Sequence, residues 1–284
     1  MAYCISHPKL MLEIRLEEIS KLHIHEQIIP EAVERLSKDI SQERQVKHPV
    51  IVDKKTLVVL DGMHRVAALQ RLGYRLIPVC LVDYDNANIR LEGWFRTISL
   101  EIKTNRDIGE VLEEEGYDLQ DAACNDLERS VHEKKIALGI LTTKKCHNIR
   151  TNTDGIKETY ELIRQIERSL KSAGYKIAYE TEKDAMTKVK SGQALAAIIA
   201  PRIMKKDVVD VAVRGQVFVQ KATRHVIPAR PLFVNVPTEW LNMNSEAANN
   251  RLYDYMSKKK IKHYPPGQTI DRRYEEELYV FSDR

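Results

Sequence analysis

Apolar and charged residues largely alternate from Met11 to Ile19, with Leu12, Ile14 and Leu16 and then Ile19 apolar. A short histidine-rich turn, Leu22-His23-Ile24-His25-Glu26-Gln27, follows. Ile29, Val33, Leu36 and Ile40 then recur at spacings of four, three and four, one face of a helix. The β-branched runs Pro49-Val-Ile-Val-Asp53 and Leu57-Val-Val-Leu60 flank the polar Lys54-Lys55-Thr56 and read as a hairpin. Asp61-Gly62 ends its second strand, Val66, Leu69 and Leu72 take helical spacing, and Gly73 is the stop before a strand from Leu76 to Val82. These elements make one α+β unit of the first ~100 residues, a scale that suits a single domain.

Beyond it, Ile108 to Glu133 reads as charged helix and Ile136 to Leu141 as strand. Ile156, Tyr160, Ile163 and Leu170 mark an amphipathic helix, capped by Thr153 or Asp154 and ended by Gly174. A weak echo follows: Asp184 precedes Gly192-Gln193 as Asp207 precedes Gly215-Gln216, suggesting two helix–strand units with strands at Ala194–Ala200 and Val217–Val219. Leu278-Tyr-Val-Phe281 reads as a closing strand. The expected fold class is therefore α/β in the α+β sense, divided into residues 1–105 and 106–284.

Composition narrows the class. With 284 residues, 30% charged and 43% hydrophobic, the chain is that of a globular protein, and its longest apolar run, around Ala194 to Ala200, is too short for a bilayer. The start, MAYCISHPKL, has no targeting pattern, so a cytoplasmic protein without membrane contact is expected. Cys4, Cys80, Cys124 and Cys146 show no metal or redox spacing and read as four free thiols. The net charge of +4 comes from interspersed signs, which argues against a nucleic-acid partner and suits small anions.

Asp61-Gly62-Met63-His64-Arg65 lies between a strand and a helix start, where backbone N–H groups and the helix dipole favour an anion. Gly62 allows close approach, while His64 and Arg65 offer a donor and a fixed cation; the competing reading is a polar turn whose arginine pairs with a carboxylate. His23 and His25 have no third partner at metal spacing.

The order helix, Pro-containing strand, hairpin, D-G-x-H-R, then V-A-A-L-Q-R-L-G resembles the ParB/sulfiredoxin superfamily, whose members bind nucleotide phosphates in this loop. Partition proteins add a helix-turn-helix, not found here, and sulfiredoxins a reactive Cys where this chain has Met63. The free L-serine kinases of that superfamily, archaeal enzymes and siderophore-cluster relatives, are similar in three blocks: His25-Glu26-Gln27, Asp61 to Arg65, and Arg214-Gly215-Gln216-Val217-Phe218 with Lys221-Ala222-Thr223-Arg224-His225-Val226. The likeness spans roughly residues 10–241 and leaves Arg106–Asn152 and the tail after Asn242 without a motif.

That resemblance implies a ParB/sulfiredoxin-like nucleotide-binding domain, a second substrate-binding domain, and an active site in the cleft between them. Glu26 would be the base for the serine hydroxyl, against the plainer role of a helix-terminal carboxylate. Asp61, Gly62, Met63, His64 and Arg65 would hold the phosphates of ATP or ADP, with Asp61 orienting Mg²⁺ or holding the loop. Trp94, Lys221, Thr223, Arg224 and His225 would face the amino acid, against core packing for Trp94 and an ordinary basic loop for the others. The expected product is O-phospho-L-serine for amino-acid or siderophore precursor synthesis; the alternative is a ParB-like, nucleotide-dependent DNA-binding or regulatory protein. Left open are ATP against ADP, serine against homoserine or threonine, the downstream pathway, and the oligomeric state, a homodimer among the options.

Overall fold

The computed structural model describes residues 1–101, 107–133, 136–143, 145–150 and 155–283. The chain groups into two compact units, Met1–Arg90 with Val208–Val217 and His225–Arg284, and Leu91–Asp207 with Phe218–Arg224. The division is not the single cut expected at 105/106. The last sixty residues return to the first unit because their strands and helix pair and pack there.

The first unit is built on a five-stranded sheet in the order Tyr3–His7, Leu10–Glu18, Leu76–Val82, Val50–Asp53, Val59–Asp61. Its pairings are antiparallel except for Val50–Asp53 beside Leu76–Val82. Leu76–Val82 is buried at every position, as a central strand covered on both faces must be. The expected helix over 29–40 forms as α1 (Pro30–Glu43), with Val33 and Ile40 buried and proline in its first turn, where the missing N–H costs nothing. The loop helix forms as α2 (Met63–Arg71), and Gly73 at φ +75° follows it.

The tail forms its own small sheet, Ala229–Leu232 parallel to Glu277–Ser282 and that strand antiparallel to Lys260–Tyr264, and joins this unit in two ways. Val236–Pro237 pairs antiparallel with Gln45–Val46. On the helix Ser245–Ser257, Asn249 accepts the Leu16 N–H at 2.8 Å and donates to the Leu16 carbonyl at 3.0 Å. Tyr3 pairs with Ile14, so this amide takes up Leu16 where the edge strand has ended.

The second unit carries a six-stranded, wholly antiparallel sheet in the order Tyr175–Glu180, Phe95–Leu100, Ala196–Ile199, Leu138–Thr142, Cys146–Arg150, Asp118–Ala122. Ile108–Glu133 is not one helix. Asp107 and Glu110 form a capping box, Gly116 at φ +87° follows the first helix Ile108–Glu114, and Asp118–Ala122 pairs as a strand before the helix Cys124–His132. The helix Ile156–Ser172 has Gly155 at its N-cap, and the expected caps Thr153 and Asp154 lie outside the described residues.

Two further expectations are corrected. The helices of the echo, Glu182–Lys190 and Lys205–Val213, are not successive units of one domain: the second falls largely in the first unit, and Val217–Val219 forms no strand. The thiols are not all free, because the sheet brings Cys146 beside the first turn of a helix and it is disulfide-bonded to Cys124, with Cα atoms 5.2 Å apart. Cys4 and Cys80 are free.

Candidate active site

In the first unit the histidine-rich turn lies beside the strand that feeds the loop. His23 N–H donates to Leu57 O and its carbonyl accepts from Val59 N–H, at 3.0 and 2.9 Å. Two residues on, His25 is fully buried with Nδ1 2.7 Å from the Val59 carbonyl. A carbonyl only accepts, so Nδ1 carries the proton, and burial keeps the imidazole neutral by lowering its pKa. The turn thus delivers Glu26, 9% exposed, to the loop: its backbone N–H donates to Met63 Sδ at 3.4 Å. The Met63 thioether therefore serves as an acceptor.

Gly62 sits at φ +99°, and a Cβ there would lie 2.6 Å from Val50 Cγ1 and 2.7 Å from Arg65 Nη2. No other residue fits the turn without displacing its neighbours. It is the N-cap of α2 and supplies no side-chain cap. His64 Nε2 accepts the Ile29 N–H at 3.0 Å and so closes the start of α1. With Nε2 accepting, Nδ1 is the N–H donor of that ring.

Arg65 takes the carboxylate-pairing role that was the competing expectation for it. Its guanidinium donates to the carbonyls of His48 and Pro49 at 2.9 and 3.1 Å and to Asp61 Oδ2 at 3.2 Å. Asp61 Oδ2 also accepts from Arg230 Nη1 at 2.9 Å. Burial alone would raise the Asp61 carboxyl; the charges of Arg230 and Arg65 outweigh it and hold the group far below the usual carboxylate range. Through Oδ2, Asp61 thus anchors the loop between two guanidiniums, the loop-holding alternative of the two roles expected for it.

The sequence reading missed the rest of this cluster. Arg230 also pairs with Glu276, Arg272 lies 4.2 Å above the Tyr274 ring, and Tyr274 donates to Asp271 at 2.7 Å. His48 accepts the Phe233 N–H at 3.0 Å, and burial, helped by the Arg65 charge, brings it down to about 4. The tail has no motif, and the only signal it carried was its run of arginines around Tyr274. His225, expected beside the amino acid, belongs to this first unit: its ring meets His25 edge-on at 5.1 Å, and its Nε2 is 2.7 Å from the Tyr84 hydroxyl.

The remaining candidates lie in the second unit, where a buried charge network fixes the segment 218–224. Arg96 is 0% exposed; its Nε donates to Glu167 at 2.7 Å, its Nη1 to the Trp94 carbonyl at 2.8 Å and its Nη2 to the Gln220 carbonyl at 3.3 Å. One side chain therefore ties Trp94 to the segment holding Lys221, Thr223 and Arg224. The ammonium of Lys221 lies 5.1 Å and the guanidinium of Arg224 5.6 Å from the Trp94 ring centre. Lys221 has left-handed backbone, φ +59°, uncommon for a long side chain and frequent at binding sites. Arg224 is ion-paired with Glu92, and Thr223 is buried. These residues lie in the strand Thr223–Val226 or just before it, rather than after a strand. Trp94 also borders a cavity of about 540 Å³.

No protein-family model matches the chain. Over 252 residues it is 29% identical to the ATP-dependent L-serine kinase of Staphylothermus marinus, covering 84% of this chain and 96% of that protein. Over 229 residues it is 24% identical to the ADP-dependent L-serine kinase of Thermococcus kodakarensis, covering 79% and 91%. Among solved structures, a free serine kinase with one glutamate changed to alanine, in complex with AMP, matches with a TM-score of 0.70 and 22% identity over 84% of this chain and 97% of that one, a shared fold.

Proposed function

We infer that this chain is a free L-serine kinase that transfers a nucleotide's terminal phosphoryl group to the serine hydroxyl and releases O-phospho-L-serine. The observation that carries this reading is the junction of Glu26 with the loop. Residues 37 and 35 positions apart are joined by Glu26 N–H on Met63 Sδ and Ile29 N–H on His64 Nε2. A carboxylate and an anion-favouring helix start are thereby held in one unit. The near full-length likeness to L-serine kinases supports it.

A serine hydroxyl is a weak nucleophile. Glu26 accepts its proton as the new oxygen–phosphorus bond forms and the bond to the leaving nucleotide breaks. The α2 N-terminus, with Gly62 allowing close approach, receives the phosphates, while Asp61 and Arg65 hold the loop in shape. Trp94, Lys221 and Arg224 take the amino acid, Arg224 meeting its carboxylate. His225 packs edge-on against His25, the residue before Glu26. Magnesium supplies charge neutralisation to the nucleotide phosphates when bound, and no residue here is assigned to it. The named relatives use ATP in one case and ADP in another, so both are candidate donors. A cytoplasmic setting fits a nucleotide donor, and the Cys124–Cys146 disulfide is the observation that weighs against a reducing one.

The test is phosphorus NMR of the purified protein with L-serine, Mg²⁺ and ATP or ADP. A new O-phosphoserine resonance, growing with loss of one donor, is expected. Hydrolysis without a phosphoserine signal would reject the reading.

A further inference from the structure

A cluster in the second unit plays no part in the proposed transfer. Glu128 and His132 stand four residues apart on the helix Cys124–His132, so they share one face, and Glu182 begins the helix Glu182–Lys190. One donor atom from each lies within 4.8 Å of the other two. Both ring nitrogens of His132 are buried and have no hydrogen-bond partner; Nε2 is 3.4 Å from Glu128 Oε1. Buried imidazole nitrogens are ordinarily satisfied, so this ring is short of a ligand. His132 and Glu182 line the cavity of about 540 Å³ that Trp94 also borders.

We propose that Glu128, His132 and Glu182 bind one divalent transition-metal ion, of the zinc class, on the wall of this cavity. One imidazole and two carboxylates suit zinc, and three protein ligands leave a fourth position for water or a small carboxylate. Zinc with donors at about 2.0–2.2 Å needs them about 3.4 Å from one another, so modest side-chain rotation closes the site. The scaffold favours this, since the disulfide from Cys124 fixes the helix one turn before Glu128. Charge favours it too. Glu128 and Glu182 lie against each other, and among the described residues the cation paired with both is Arg202, at 3.8 and 3.5 Å, whose side chain is 62% exposed, a loosely held counter-ion that a dication displaces.

The inference does not depend on the kinase reading, and its test uses the metal alone. The full chain, stripped with a chelator and dialysed, is titrated calorimetrically with zinc chloride, with cobalt absorption as a second readout. One equivalent should bind, and cobalt should give the intense visible bands of a low-coordinate site. His132→Ala and the isosteric Glu182→Gln should each weaken binding about tenfold or more, since loss of even an outer partner of a ligand costs that much. Arg202→Gln should tighten it by removing the competitor. Either ligand variant suffices if the other fails to fold. Absence of stoichiometric zinc binding, or binding unchanged in a folded His132→Ala or Glu182→Gln, would overturn the assignment.

Discussion

Arg65 in the first unit and Arg224 in the second are almost equally sheltered, at 19% and 18% side-chain exposure, and each pairs with a carboxylate about 40% exposed. Their surroundings nevertheless give them different work. Arg65 reaches two backbone carbonyls and Asp61 within its own loop, and Arg230 comes from the tail to the same carboxylate. Arg224 is ion-paired with Glu92 and lies against the face of Trp94. The first is a brace whose donors have internal partners, and the second stands beside an aromatic plane suited to a small zwitterion. Residue type and burial are alike at the two arginines; the difference is that one fork spans backbone carbonyls while the other lies against an aromatic face, which is what the proposed serine site would use.

The sharpest way to break this contrast is to unfasten the second unit. Glu167→Gln leaves the fully buried Arg96 charge without its carboxylate and loosens the side chain that ties Trp94 to the segment at 220. Removing one member of a buried pair costs about 3–5 kcal/mol, to be read from the urea midpoint. A loss near zero would mean that the network does not hold that site together.

Next is the base. Glu26→Gln should lower kcat by about 10² or more with nucleotide affinity kept, measured by steady-state kinetics and calorimetry. A variant with near-normal kcat would remove Glu26 from the chemistry.

The brace should also show in pH dependence. His48 titrates near the ordinary 6.5 when unfolded but at about 4 when folded, first through burial and then through the Arg65 charge. A depressed folded value means that the stabilisation is complete above about 6.5 and is lost as pH falls toward 4, because the unfolded chain takes the proton first. At pH 5 the loss from this residue is about 2 kcal/mol. His48→Gln should therefore shrink the fall in stability between pH 7 and 5; an unchanged fall would place the pH sensitivity elsewhere, with the buried His25 next in line.

Smallest, and most diagnostic of the contrast, is Arg65→Lys. A lysine keeps the charge but not the fork that spans His48, Pro49 and Asp61, so the first unit should lose about 1–2 kcal/mol in a thermal or urea melt. If stability stayed constant while nucleotide affinity fell, Arg65 would be a phosphate ligand after all.

What the chain revealed in advance follows the range of its signals. The helix over 29–40, the hairpin and the D-G-x-H-R turn are local: periodicity, a β-branched run and one glycine specify them within a dozen or so residues. The tail cluster is not local. Arg230 meets Asp61 across 169 residues, and nothing near either announces the other. The disulfide hid for the same reason, since spacing rules for cysteine pairs do not foresee a strand that lays Cys146 beside Cys124. In the 108–133 stretch a signal was present and outweighed: Gly116 marked a helix end, but the charged run on both sides looked helical throughout.

The most direct test of the division between brace and binder is Arg224→Ala, assayed with serine and nucleotide varied independently. Loss of one charge-assisted contact, about 1.5–3 kcal/mol, should raise the KM for serine roughly tenfold to a hundredfold and leave nucleotide affinity within about twofold. A variant that bound nucleotide poorly and kept its serine KM would place Arg224 at the phosphates and contradict the assignment of the amino acid to the second unit.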